Sequence, residues 1–164
     1  MNLKELIISY DFGVAILSTL ITWYLLPSWL EIKFCISFYE VGITVLSIIF
    51  SLFFAALAII MTASDNDFIE FLEEEGDFKA LLDSFKITLL FLFASLLYSI
   101  SLYVGSEYIE KNVSEGWLQH KILFIIFQFL FVYSLIATGL SVKDTIIFSQ
   151  YRARFLINRK RKGN

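Results

Sequence analysis

The chain has 164 residues, 58% of them hydrophobic and 18 of them Phe, with a formal net charge of −3. Soluble domains use about 45–50% apolar residues, so this composition excludes an ordinary soluble fold. One Pro and 7 Gly leave little room for long loops, and the single Cys35 excludes an intrachain disulfide.

The first ten residues form a short amphipathic lead-in with Lys4 and Glu5. Glu5 and Asp11 flank the first apolar run, and no small-x-small site follows it, so a cleavable signal peptide is not expected. Residues 12–30 read as a first span, with Pro27 near its end to stop or bend the helix. Residues 31–40 read as a short connection.

Residues 41–63, VGITVLSIIFSLFFAALAIIMTA, form the span that organises the rest. Twenty-three uncharged residues make a helix about 35 Å long, enough for a bilayer core of about 30 Å. Thr44, Ser47, Ser51, Ala55, Ala58 and Thr62 recur at helical spacing as one stripe of small and hydroxyl side chains. Such a stripe lets helix backbones approach in lipid. Several copies of it could also line a polar pore.

Residues 64–86 read as an acidic helical hairpin on the near side of a third span, 87–104. Seven of the 13 residues 65–77 are acidic: Asp65, Asp67, Glu70, Glu73, Glu74, Glu75 and Asp77. Phe68 and Phe71 share the opposite helical face. Gly76 is a plausible stop and Asp77 a new cap. A calcium loop starting at Asp65 is excluded, because its sixth position is Glu70 rather than Gly and its twelfth is Gly76 rather than Glu. The segment reads as a solvated acidic surface, a dock for the basic tail, or a dock for a soluble partner.

Residues 105–121 read as a polar loop and 122–142 as a fourth span. Gln128, well inside it, is expected to bond to a neighbouring helix. Ala15, Ser18, Thr19 and Thr22 make a small stripe on the first span, and Ser134, Ala137, Thr138 and Ser141 one on the fourth. Residues 143–164 form a basic tail, with Arg152, Arg154, Arg159, Lys160, Arg161 and Lys162 expected to face anionic lipid. No aromatic-basic platform supports direct nucleic-acid binding.

The expected fold is therefore all-α: one integral membrane four-helix bundle with spans near 12–30, 41–63, 87–104 and 122–142. Four spans put both termini on one side. That side carries ten basic residues and the other only Lys33, Lys111 and Lys121, so both termini and the hairpin are expected in the cytoplasm. Trp23, Tyr24, Trp29, Tyr39, Tyr103, Tyr108 and Trp117 cluster at the outer ends as an interfacial belt. No charge sits in mid-span, which weighs against a coupled transporter. His120 has no cluster of metal-ligand spacing and no nucleophile beside it. Neither a glycine-rich phosphate loop nor a paired-cysteine motif occurs. The chain reads as a non-enzyme without cofactor or metal.

Three features together resemble small four-helix membrane proteins of bacterial anti-phage defence. They are the second span ending FFAALAIIMTASD, the short acidic hairpin, and the FQFLFVYSLI fourth span with its charged tail. RexB-type abortive-infection proteins and the membrane subunit of Kiwa-type systems share this layout. The first resemblance implies ion leakage across the inner membrane. The second implies an oligomeric sensor that docks a soluble partner on its cytoplasmic face. A tetramer in the cell inner membrane is the expected form. The alternatives are an ion-conducting pore, or an anchor or assembly factor, with no defence role.

Overall fold

Pro27 decides the first boundary, because its ring removes an N–H and disfavours helical geometry at Leu26. In the computed structural model, which describes residues 10–63, 77–112 and 118–162, helix α1 (Tyr10–Leu25) ends there. Within those ranges the side chains of residues 11, 59–63, 77–78, 80–81 and 158–162 lie outside the description. Leu26 N donates to Thr22 O at 3.0 Å and closes the last turn. The expected span 12–30 is thus shorter as a helix. Its final residues form strand β1 (Trp29–Glu31) instead.

Helix α2 (Ile32–Ala63) starts directly after β1, nine residues before the expected position 41. The reason is periodicity: Ile32, Cys35, Ile36 and Tyr39 fall at i, i+3, i+4 and i+7, and all four are buried. Helix α3 (Asp77–Asn112) runs beyond the expected span at both ends. Residues 105–112 are helical rather than loop, because Leu102, Ser106 and Ile109 continue its inward face. The expected polar loop also holds a second strand, β2 (Leu118–His120), antiparallel to β1 with Leu30 opposite Gln119. Helix α4 (Lys121–Lys162) continues without a break through the basic tail.

The chain is all-α apart from that strand pair, with four helices among the described residues. Three of them, α2, α3 and α4, are long and apolar enough to cross a membrane, and α1 is a shorter apolar helix. At about 1.5 Å per residue the three long helices measure roughly 48, 54 and 63 Å, so each exceeds a bilayer core of about 30 Å. Large apolar side chains such as Leu20, Ile48, Leu52, Leu90 and Leu97 are exposed, as a lipid-facing surface requires.

Helix α3 lies between α2 and α4, and α1 packs on α4. Leu46 and Phe53 of α2 meet Phe85 and Leu92 of α3 and Phe148 of α4. Near the strand pair, Leu30, Cys35, Tyr39, Phe124 and Phe127 form a second cluster. The α1 contact is smaller. Ala15 sits against Tyr133 and Ala137, and the Phe12 ring meets Phe129 edge-on at 5.6 Å.

The strand pair ties the α1–α2 and α3–α4 connections together. Lys121 N donates to Ser28 O at 3.1 Å, and Lys121 Nζ donates to Trp23 O at 3.4 Å and lies 4.2 Å over the Trp23 ring. Trp29 meets His120 edge-on at 5.1 Å. Tyr39, expected in the aromatic belt, is instead fully buried in the second cluster, since its place on the inward face of α2 outweighs its polar tip. Trp23, Tyr24, Trp29 and Tyr108 are exposed at that end. Trp117 lies outside the described residues.

Candidate functional site

The α2 stripe faces away from the chain's own packing. Leu46 and Phe53 point into the core, while Thr44, Ser51, Ala55 and Ala58 are exposed and Ser47 is half-buried. At 100° per residue the two sets occupy opposite sides of the helix. The side chain of Thr62 lies outside the described residues. Thr44 Oγ1 donates to Glu40 O at 3.0 Å and Ser51 Oγ to Ser47 O at 2.9 Å. Back-bonding of this kind satisfies these two hydroxyls within their own helix. Thr44 and Ser51 can therefore face lipid with their hydroxyls satisfied, and the small side chains of the stripe allow close approach by another helix.

The other two stripes are used inside the chain. Ala15 and Ala137 bring α1 onto α4. Thr19 and Thr22 of the α1 stripe bond back to Ala15 O and Ser18 O. Ser134 and Ser141, on the adjoining side of the same stripe, bond to α3. Ser95 and Ser134 share a hydrogen bond of 2.7 Å, and Thr88 and Ser141 one of 3.2 Å. Ser95 Oγ also reaches Leu130 O at 3.2 Å, and Thr138 bonds back to Ser134 O. All four residues of the two pairs are buried.

The α3 half of this seam went unread in the sequence, although Thr88, Ser95, Ser99 and Ser106 recur at seven and four residues. Leu and Phe between them mask the pattern. Gln128, expected to bond a neighbouring helix, is half-buried and has no hydrogen bond among the described residues. The short hydroxyls at Ser134 and Ser141 hold that contact instead.

The seam fixes the register of α3 against α4, and the register fixes where the charges go. Both hydroxyl pairs belong to one antiparallel alignment, in which Asp77, the first described residue of α3, comes level with Arg152. Ten further residues of α4 rise about 15 Å beyond that level. They carry Arg154, Arg159, Lys160, Arg161 and Lys162. Phe85, stacked on Phe53 at 4.9 Å, sets α2 beside α3 so that Ala63 ends near the same level. The basic end of α4 thus stands at the end of the bundle where residues 64–76 join α2 to α3.

Arg152 is half-buried and Arg154 exposed. Phe148 and Phe155 hold this stretch of α4 on the core cluster, so it is part of the bundle rather than a trailing tail. Asp65, Asp67, Phe68, Glu70, Phe71, Glu73, Glu74 and Glu75 lie outside the described residues, as does the side chain of Asp77. Among the described residues no cluster of His, Cys, Asp or Glu could hold a metal ion. The two ion pairs found there, Lys33 with Glu110 at 3.8 Å and Lys111 with Glu107 at 2.6 Å, lie at the strand-pair end. Both are exposed pairs of small energetic weight.

No protein family, curated protein or solved structure matches this chain.

Proposed function

We propose that the chain is a non-enzymatic, multi-pass component of the bacterial inner membrane that works as a homo-oligomer and couples to a soluble cytoplasmic partner. In this reading α1 also spans, both termini are cytoplasmic, and a tetramer is the assembly. The observation that carries it is the outward stripe of α2. The chain's own bundle uses the stripes of α1 and α4 and leaves that of α2 turned to the outside. Helices associate in lipid through such small-residue faces.

The acidic residues 65–77 and Phe68 and Phe71 supply the partner dock, and the basic end of α4 binds that partner or anionic lipid. Anti-phage defence is the setting we assign, on the strength of the four-helix layout, the acidic segment and the charged helix end. Ser51→Leu with Ala55→Leu tests the core of the reading. We expect a shift of the detergent-solubilised species to monomer by light scattering, with loss of phage protection in cells that express the chain and its neighbouring genes. An unchanged mass would refute the stripe as the interface.

A pore is the second reading, and the same observation favours it. Copies joined by α2 bring Thr44, Ser47 and Ser51 to a shared axis. Steady conductance in liposomes without any trigger would select it over a gated sensor.

A further inference from the structure

Under the strand pair, α2, α3 and the start of α4 leave a cavity of about 310 Å³. That is the size of the smaller ligand sites, which run from about 300 to 1,000 Å³ and are mostly apolar with a few placed polar groups. Trp29, Ile32, Leu102, Ile109, Leu118 and Leu123 make its walls. Gly105 also lines it, and a Cβ there would meet no atom within 4 Å. The space is therefore open at that point of α3.

The polar groups gather on one side, on β2 and the end of α3. Ser106 Oγ, on a buried residue, donates to Gln119 Oε1 at 3.5 Å, which leaves the Gln119 amide N–H groups as donors. His120 Nδ1 accepts from Ile122 N at 3.3 Å, so the neutral ring carries its proton on Nε2, again a donor. Tyr39 Oη, buried close to Gln119 but outside the cavity lining, makes no hydrogen bond by geometry among the described residues. On the membrane reading proposed above, the exposed Trp23, Tyr24, Trp29 and Tyr108 place the cavity at headgroup depth, where lipid carbonyls lie.

We propose that this cavity binds one acyl chain whose head carries a hydrogen-bond acceptor, a carboxylate or an ester carbonyl. Taking a methylene as no larger than a water, at about 30 Å³, the space holds roughly ten carbons. The chain lies along Leu102, Ile109 and Leu123, and its head meets the donors of Gln119 and His120. A phospholipid of the surrounding leaflet and a free medium-chain fatty acid both offer this chemistry.

Trp29 reports on the site directly. In a Trp23→Phe, Trp117→Phe background it is the sole tryptophan. The full chain is placed in nanodiscs of dibromostearoyl phosphatidylcholine in one arm. In the other, unlabelled nanodiscs are titrated with bromododecanoic acid. Quenching in the first arm that falls on Gly105→Phe assigns the site to a phospholipid chain. Saturable quenching in the second arm, lost in Gly105→Phe and displaced by unlabelled dodecanoic acid, assigns it to a free acid. Ser101→Phe fills the same space from an exposed position and serves if Gly105→Phe does not fold. Equal, non-saturating quenching in filled and unfilled proteins across both arms would overturn the proposal.

Discussion

Gly42→Ala pits helix propensity against packing, and the structure decides the winner. Gly42 lies in α2, where Ala is favoured over Gly by about 0.8–1.0 kcal/mol. A Cβ at this position would sit 2.5 Å from Phe127 Cζ and 2.8 Å from Cε2. Carbon atoms prefer about 3.5–4.0 Å, so the ring must move by about 1 Å. It has nowhere to go. Phe127 is 1% exposed, and its ring stands 5.0 Å from Tyr39, 5.7 Å from Phe131 and 6.2 Å from both Phe38 and Phe124.

Overpacking a filled core costs about 1–3 kcal/mol. Net of the propensity gain, Gly42→Ala is expected to destabilise by about 1 kcal/mol, within a range of about 0–2. Phe127→Leu removes the obstructing ring atoms, and in that background Gly42→Ala should stabilise. Gly139→Ala, where a Cβ meets nothing within 4 Å, should be neutral or stabilising. Reversible unfolding in mixed micelles of dodecylmaltoside and SDS, followed by near-ultraviolet circular dichroism, measures all of these. The same sign for Gly42→Ala in both backgrounds would refute the reasoning.

A double-mutant cycle on Ser95→Ala and Ser134→Ala should return a coupling of about 0.6 kcal/mol, the average for hydrogen bonds between membrane helices; zero coupling would mean that the 2.7 Å contact contributes shape alone. Glu73→Lys, Glu74→Lys and Glu75→Lys together should abolish phage protection while insertion and oligomer mass stay intact, and unchanged protection would reduce residues 64–76 to a solvated connection. Single cysteines at Ser28 and Ser114 should react with an impermeant maleimide on intact cells, with little background from Cys35, which is buried. Labelling only after permeabilisation would reverse the proposed orientation.

The apolar spans and the helical class were legible residue by residue, because hydrocarbon forbids unsatisfied backbone and leaves a long uncharged run no choice but helix. Periodicity also marked the small-residue stripes of α1, α2 and α4. Which of those stripes would meet one another was not legible. Ala15 against Ala137, Ser134 against Ser95 and the α2 stripe turned outward are choices among surfaces of similar chemistry. They are settled by how Phe, Leu and Tyr fill the space between helices.

The strand pair had the weakest sequence signal. Residues 29–31 and 118–120 lie far apart in the chain, and three-residue strands show no usable alternation. Only the antiparallel neighbours α1, α2, α3 and α4 bring their backbone N–H and C=O groups face to face. The helical continuation into the basic segment had the same origin. Arg and Lys at 152–162 read as a tail because charge dominates composition there. Phe148 and Phe155, held against the core, keep the same stretch in register with the bundle. Sequence by itself determined that the chain forms helices long and apolar enough to cross a membrane. The tertiary structure decided which faces remain free, since a face is free only relative to what its neighbours already cover.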